Sequence, residues 1–283
     1  TDAITGPGVA DNSLGCAVLT SLPWILDRLE LELRHDLILF AGVKTLGRGD
    51  LQGIRFFLDN YLHTIKSALC LEGVQLGRLS YTSLGMLRGE ILCKVPEMYD
   101  WTRFGDASAI QTMNEIINKI NDIRLPRRPR TSVVMGTISG GSSFDTIALE
   151  ASLGFEVRSE SQEVVDEIGR RIEEIGIEVA SATGDRVHVD IFARRSPGGI
   201  GFSDPLTLCA REVMRELEIE PRLAPSISEL SALIDKGIPA LTLGLTRGDF
   251  LHDPNETIQI DPMYKGITQV LGILLAIDRG YYE

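Results

Sequence analysis

Cysteine is scarce in this sequence, and it does not cluster. Cys16, Cys70, Cys93 and Cys209 are the only four among 283 residues. No two stand at Cys-x-x-Cys spacing, so no thiolate zinc or redox motif is present. Each lies in an apolar run, the pattern of buried thiols in a reducing compartment, and a cytoplasmic location is expected. Basic charge is in deficit as well. Lys and Arg number 28 against 40 Asp and Glu, a formal net charge of −12. That deficit argues against a nucleic-acid backbone or an anionic membrane as the main partner. No apolar run is read as reaching membrane-spanning length, and no signal peptide is visible, so a soluble globular protein is expected. Residue 1 is Thr, which reads as a view of part of a longer protein.

The stretch that is rich in information lies at the start. Gly6-Pro7-Gly8-Val9-Ala10-Asp11-Asn12-Ser13-Leu14-Gly15 is a turn-rich loop with a carboxylate at its centre, followed by a long apolar helical pattern over residues 16–33 with Pro23 inside it. Asn12 or Ser13 suits the helix N-cap. A carboxylate at such a place either caps and turns the chain or points into a cleft and holds a cation. Spacing alone leaves both open.

Further along, residues 36–43 form a near-continuous apolar run that reads as a buried strand. Residues 50–61 carry a helical stripe, and residues 67–71 read as a second buried strand ending at Glu72-Gly73. Strand, helix, strand is the grammar of an α/β sheet, whose ligands gather at the carboxyl ends of strands. From residue 78 the texture changes. An alternating stretch over 78–95, an amphipathic helix over 106–123, strands over 131–138 and 152–158, a charged helix over 161–176 and a strand over 186–194 spell β-α-β-β-α-β, a ferredoxin-like order. Near Ser196 the buried α/β pattern returns. The expected architecture is therefore an α/β domain over 1–77 and 196–283, with a ferredoxin-like insert over 78–195. Arg124, Arg127, Arg128 and Arg130 read as a solvated basic loop.

These segments together resemble the co-catalytic zinc exopeptidases: glutamate carboxypeptidase, tripeptide aminopeptidase and succinyl-diaminopimelate desuccinylase. The opening loop is similar to their Gly-x-Gly-x-Ala-Asp-Asp-Lys-x-Gly, with Asn12 for the second Asp. Gly140-Gly141-Ser142-Ser143-Phe144-Asp145-Thr146-Ile147 resembles their Gly-Gly-x-x-x-Asn-x-Ile-Pro, and His252-Asp253-Pro254-Asn255-Glu256 their carboxy-terminal His-x-x-x-Glu. The resemblance implies a parallel-sheet zinc-peptidase-like domain with an inserted lid, or dimerisation, domain. It implies Asp11 as the carboxylate bridging two zinc ions, Glu72 and His252 as ligands, Asp145 and Arg158 as substrate contacts, and a homodimer acting on a peptide or amino-acid-like ligand.

The sequence departs from that pattern where catalysis needs it most. Aligning Gly49-Asp50-Leu51-Gln52-Gly53 on the tail of Glu-Glu-x-x-Gly-Asp-Leu-x-Gly puts Thr45 and Leu46 where the two glutamates belong. The first is the general base and the second a zinc ligand. Thr45 cannot take a proton from water near neutral pH, and Leu46 has no donor atom. No His-x-Asp motif lies in residues 1–10, and residues 96–101 lack the lid histidine. His35, His63 and His188 read as ordinary surface or packed histidines. The expectation is a relative with impaired or lost catalysis, in which Lys44 or Arg48 replaces part of the missing positive charge. The alternative is an active metal-dependent peptidase or deacylase.

Overall fold

The alternation of apolar and polar residues that marks the middle of the chain folds as the pattern requires, in a computed structural model that describes residues 2–96 and 108–280. The chain divides into two compact units, Thr1–Ser83 with Gly198–Glu283, and Leu84–Pro197.

The first unit starts with a short strand β1 (Ala3–Thr5) and the helix α1 (Leu14–Arg28), then α2 (Gln52–Asn60), β2 (Ala68–Val74), β3 (Arg78–Ser80) and β4 (Thr82–Ser83). The second unit contains β5 (Gly85–Lys94), α3 (Ala109–Asn121), β6 (Thr131–Gly140), β7 (Glu150–Ser159), α4 (Gln162–Thr183) and β8 (Arg186–Arg195). The chain returns to the first unit through β9 (Gly198–Gly199), α5 (Pro205–Glu216), β10 (Arg222–Leu223), α6 (Glu229–Asp235), β11 (Ala240–Thr246), β12 (Gly248–Asp249), β13 (Thr257–Gln259) and α7 (Asp261–Asp278).

The second unit is an antiparallel sheet in the order β6-β7-β5-β8. Leu87, Ile91 and Cys93 alternate inward along β5 and pack with Leu153, Phe155 and Val157 of β7 under α3 and α4. Local chemistry fixes the helix ends. Ser108 and Gln111 form a capping box, Ser161 accepts from the Val164 N–H, and Gly184 closes α4 in the left-handed region. The start predicted for α3, at residue 106, and the segment 97–101 lie outside the described residues.

The main sheet of the first unit runs β10-β3-β11-β2. It is mixed: β2 and β11 are parallel, whereas β3 is antiparallel to β11. One face, with Leu69, Leu71, Leu241 and Leu243, packs with residues of α1, α5 and α7. The opposite face carries Cys70 and Ala240 against Leu230 and Leu233 of α6. This two-sided burial explains why β11 is buried at every position.

Three expectations change. Residues 36–43 form no strand. An extended apolar segment becomes a strand only when a neighbour accepts its ladder, and here its side chains pack locally, Phe40 on Phe57 at 4.8 Å between ring centroids. The alternating stretch 78–95 is not one strand or hairpin, because β3 joins the first unit's sheet and β5 the second unit's. Residues Val9–Arg28 are, by length and composition, apolar enough to cross a membrane, against the expected absence of such a run; 33% of that apolar window is buried within the protein. The run is not one continuous helix, since Asp11 and Asn12 have non-helical backbone angles. Leu14, Val18, Leu22 and Leu26 of α1 form its buried stripe.

Candidate ligand site

The loop before α1 is held against the carboxyl end of β2 by one side chain. Asn12 donates from Nδ2 to the Leu71 carbonyl at 2.7 Å. Its Oδ1 accepts from the Gly73 N–H at 3.0 Å and the Gly15 N–H at 3.1 Å. The backbones approach closely there, since a Cβ on Gly73 would lie 2.0 Å from the Ala10 carbonyl oxygen. Asp11, between Ala10 and Asn12, is thereby placed beside the strand end that carries Glu72.

Around that point the structure gathers more than the sequence pointed to. Asp11 Oδ2 lies 3.3 Å from His252 Nδ1, with the imidazole largely exposed. Glu72 is half-buried, and its carboxyl is held above the usual carboxylate range, chiefly by burial. The neighbouring charges of Glu229 and Asp11 push it the same way, while the Arg78 guanidinium and a hydrogen bond with Ser228 oppose them. Asp11 and Glu72 are thus electrostatic neighbours, and His252 joins through Asp11.

Thr45 does not point to empty space. Its hydroxyl donates to Glu229 Oε1 at 2.7 Å. Leu46 is 71% exposed. The cation acting on Glu72 is Arg78 of β3, whereas Lys44 is exposed and has a left-handed backbone. Positive charge at Glu72 comes from Arg78, six residues on in the chain and on a strand expected in the other unit. Glu229, Ser228 and Arg78 are the site residues that sequence reasoning missed. The available signal for two of them was Ser226-Ile227-Ser228-Glu229 directly before the apolar run of α6, a serine at the N-cap position, without a side-chain capping bond, followed by an acid in the first turn.

The two further contacts expected in the second unit are not brought together. Asp145 is in the exposed loop between β6 and β7, where Ser143 donates to it and lowers its pKa. Arg158 lies at the far end of that hairpin, paired in register with Ser132 and bonded to Glu156. Eight residues of strand separate Arg158 from the loop, about 26 Å, too far for one small ligand. Of the remaining histidines, His35 pairs with Asp278 at 3.1 Å, His63 meets Tyr61 in a tilted ring contact at 5.3 Å between centroids, and His188 stands opposite Leu92 in the second unit's sheet.

The fit of this donor set to zinc is testable by distance. Two ligand atoms on one tetrahedral zinc, with bonds of about 2.0–2.1 Å, stand about 3.3 Å apart, and the Asp11–His252 pair meets that spacing. Zinc also needs a third and fourth donor, and among the described residues no group of three His, Cys, Asp or Glu side chains gathers closely enough to hold a metal. The residues present do not fit a two-zinc centre. Burial pushes the Cys70 and Cys209 thiols up, and that of Cys93 to about 11, the reverse of what thiolate chemistry at those three would need.

Comparison with known proteins bears on the fold and on the second unit. Residues 105–182 match the peptidase dimerisation domain family. No curated protein matches in sequence. Among solved structures, the aminopeptidase PepT of Bacillus cereus is similar at 17% identity with a TM-score of 0.66, over 93% of this chain and 70% of that one. The dipeptidase Dug1p of Saccharomyces cerevisiae aligns at 12% identity with a TM-score of 0.77, over 98% of this chain and 73% of that one. The YXEP protein of Bacillus subtilis, described as a dinuclear metal-binding peptidase, aligns at 15% identity with a TM-score of 0.59, over 94% and 71%. At these identities the likeness is one of fold.

Proposed function

We propose that this chain, which has the fold of the zinc exopeptidases and carries a peptidase dimerisation domain, is a non-catalytic member of that group. In this reading it holds a peptide or amino-acid-like ligand and pairs with a second copy of itself in the cytoplasm. The observation that carries the reading is the Thr45–Glu229 hydrogen bond. In this reading Thr45, aligned through Gly49-Asp50-Leu51-Gln52-Gly53, stands for the general base, and its hydroxyl donates to a neighbouring carboxylate. Loss of a general base alone costs about 10²–10⁴-fold in rate. Leu46, exposed and without a donor atom, removes a ligand from the same segment.

Elemental analysis and a peptidase assay on protein saturated with zinc test this. The expected result is less than one tightly held zinc per chain and no turnover above background. Two zinc ions per chain with robust hydrolysis would overturn it. The double substitution Thr45→Glu plus Leu46→Glu is expected to gain zinc. The rival reading, an active metal-dependent peptidase or deacylase, draws support from the Asp11–His252 spacing, and the same assay decides it.

Pairing is supported by the second unit. Its edge strand β6 exposes Val134 and Ile138, and an uncovered edge of that kind invites a partner strand. Light scattering at about 50 μM, where stable dimers persist, is expected to give twice the chain mass. The four cysteines are all free thiols, which suits the proposed compartment.

A further inference from the structure

Two stretches of the first unit carry backbone groups that no neighbour takes. The first is the outer side of β2, which ends the main sheet. In the parallel pairing with β11 the Ala68 N–H donates to the Pro239 carbonyl at 2.9 Å. Ala68, Cys70 and Glu72 therefore turn their backbone groups towards β11, and Leu69, Leu71 and Gly73 turn theirs away. One rung of that outer edge is filled by a side chain. Asn12 takes the Leu71 carbonyl and the Gly73 N–H, as the peptide group of a neighbouring strand would. Among the described residues nothing takes the N–H of Leu69 or Leu71. The second stretch is residues 37–43, where Ile38, Leu39 and Val43 are exposed. It holds no charge and no proline, the devices that protect an open strand. Among the described residues the backbone of 37–42 makes no hydrogen bond.

The same helices cover both stretches. On one side, Leu14 and Val18 of α1 share a cluster with Leu69 and Leu71 of β2, and Leu22 and Leu26 of α1 share one with Leu37. On the other side, Leu230 and Leu233 of α6 share a cluster with Ala68 and Cys70 of β2, and Ala232 of α6 shares one with Phe40 and Phe57. Leu37 and Phe40 are three apart and so take opposite faces, as in a strand. Residues 37–43 and β2 therefore lie in one layer between common helices, yet no ladder joins them. Apolar side chains alone could be covered by many things. Rows of unpaired N–H and C=O groups on extended chain are satisfied by another strand.

We propose that the first unit takes one further β-strand, laid along the outer edge of β2 beside residues 37–43, and that the strand comes from polypeptide of the same protein outside residues 1–283. It is a strand of about six residues, apolar on both faces because helices cover both faces of the layer. Proteins of this fold carry enough chain to supply it: this chain aligns over 93% and 98% of its length with PepT and Dug1p, yet covers only 70% and 73% of theirs. The proposal is independent of the non-catalytic reading, since an added strand leaves Thr45 and Leu46 as they are.

Residue-resolved hydrogen exchange tests this on two proteins, the 283-residue chain and the same chain extended as far as its gene encodes. In the 283-residue chain the Cys70 and Glu72 amides, bonded to β11, are expected to exchange slowly, while Leu69, Leu71 and residues 38–42 exchange as free amides. Chymotrypsin is expected to cut after Phe40. In the extended chain the free set is expected to slow by about 100-fold or more, the Cys70 and Glu72 amides to stay slow, and the cut after Phe40 to be lost. Free exchange of Leu69, Leu71 and residues 38–42 in the extended chain overturns the proposal. So does a gene that encodes nothing beyond these residues. Slow exchange of the same amides in the 283-residue chain at every concentration also overturns it, by showing the edge to be closed already. Protection there that grows with concentration, together with a doubled mass in light scattering, makes the occupant a second copy and overturns it as well. If the 283-residue chain does not fold by itself, exchange in the extended chain still decides.

Discussion

The amide nitrogen of Asn12 donates to the carbonyl of Leu71 at 2.7 Å, tying the loop that carries Asp11 to the strand that carries Glu72. An aspartate at this position could still accept from the Gly15 and Gly73 N–H groups, but its second oxygen would face a carbonyl with no proton between them. Asn12→Asp is expected to cost about 1–3 kcal/mol, the price of an unsatisfied part-buried polar pair. Thermal denaturation at neutral pH checks this, and a melting temperature equal to that of the unaltered chain would refute the clamp.

The same junction predicts a severe steric effect. Gly73→Ala would bring a methyl group within 2.0 Å of the Ala10 carbonyl oxygen, a backbone atom that cannot turn aside. The expected loss is about 3 kcal/mol or more, in the range reserved for core overpacking. By contrast, Gly136→Ala meets nothing within 4 Å and serves as the control. A denaturant midpoint that falls for the first substitution and holds for the second is the expected result.

Glu72 makes stability depend on pH in a stated direction. Its folded-state pKa is raised, with burial the largest cause. The folded state therefore keeps a proton that the unfolded chain gives up, and stability falls as pH rises from the unfolded value, about 4.3, towards the raised one. Glu72→Gln removes the burial cost of the ionised form. It is expected to raise the melting temperature at pH 7 by roughly 2–4 °C for each kcal/mol released, and to change nothing well below pH 4. A melting temperature that drops at pH 7 would show that the Arg78 contact outweighs desolvation.

Asp278 predicts the opposite slope. Its carboxylate accepts from the backbone N–H of Arg34 and His35 and contacts the His35 ring at 3.1 Å, and its pKa is lowered, first by the Arg34 N–H. A lowered carboxylate contributes stability above its unfolded pKa, about 3.9, and loses it as pH falls through the folded value. Asp278→Asn is expected to be less stable than the unaltered chain at pH 7, with the gap narrowing at the acid end. Urea titrations at pH 7 and pH 3 compare the two.

Much of this protein was legible one segment at a time. Ile116 and Ile120 in α3 and Leu87 and Ile91 in β5 announce helix and strand through the spacing of neighbours, and those periods hold in the structure, because each needs only its own residues and one apolar surface. Asp11 and His252 could be paired in advance only through the motifs that flank them. What the tertiary structure alone decided is every relation that needs a distant partner. Residues 36–43 have the composition of a buried strand, yet no neighbour accepts their ladder. Arg78, read as the start of a lid strand, instead belongs to β3, which pairs with the distant β11 in the first unit's sheet. Glu229, on a helix that the sequence marks only as a helix, comes to rest 2.7 Å from the Thr45 hydroxyl. Sequence spacing reports which face a residue takes; a register between strands far apart in the chain sets which residues that face meets.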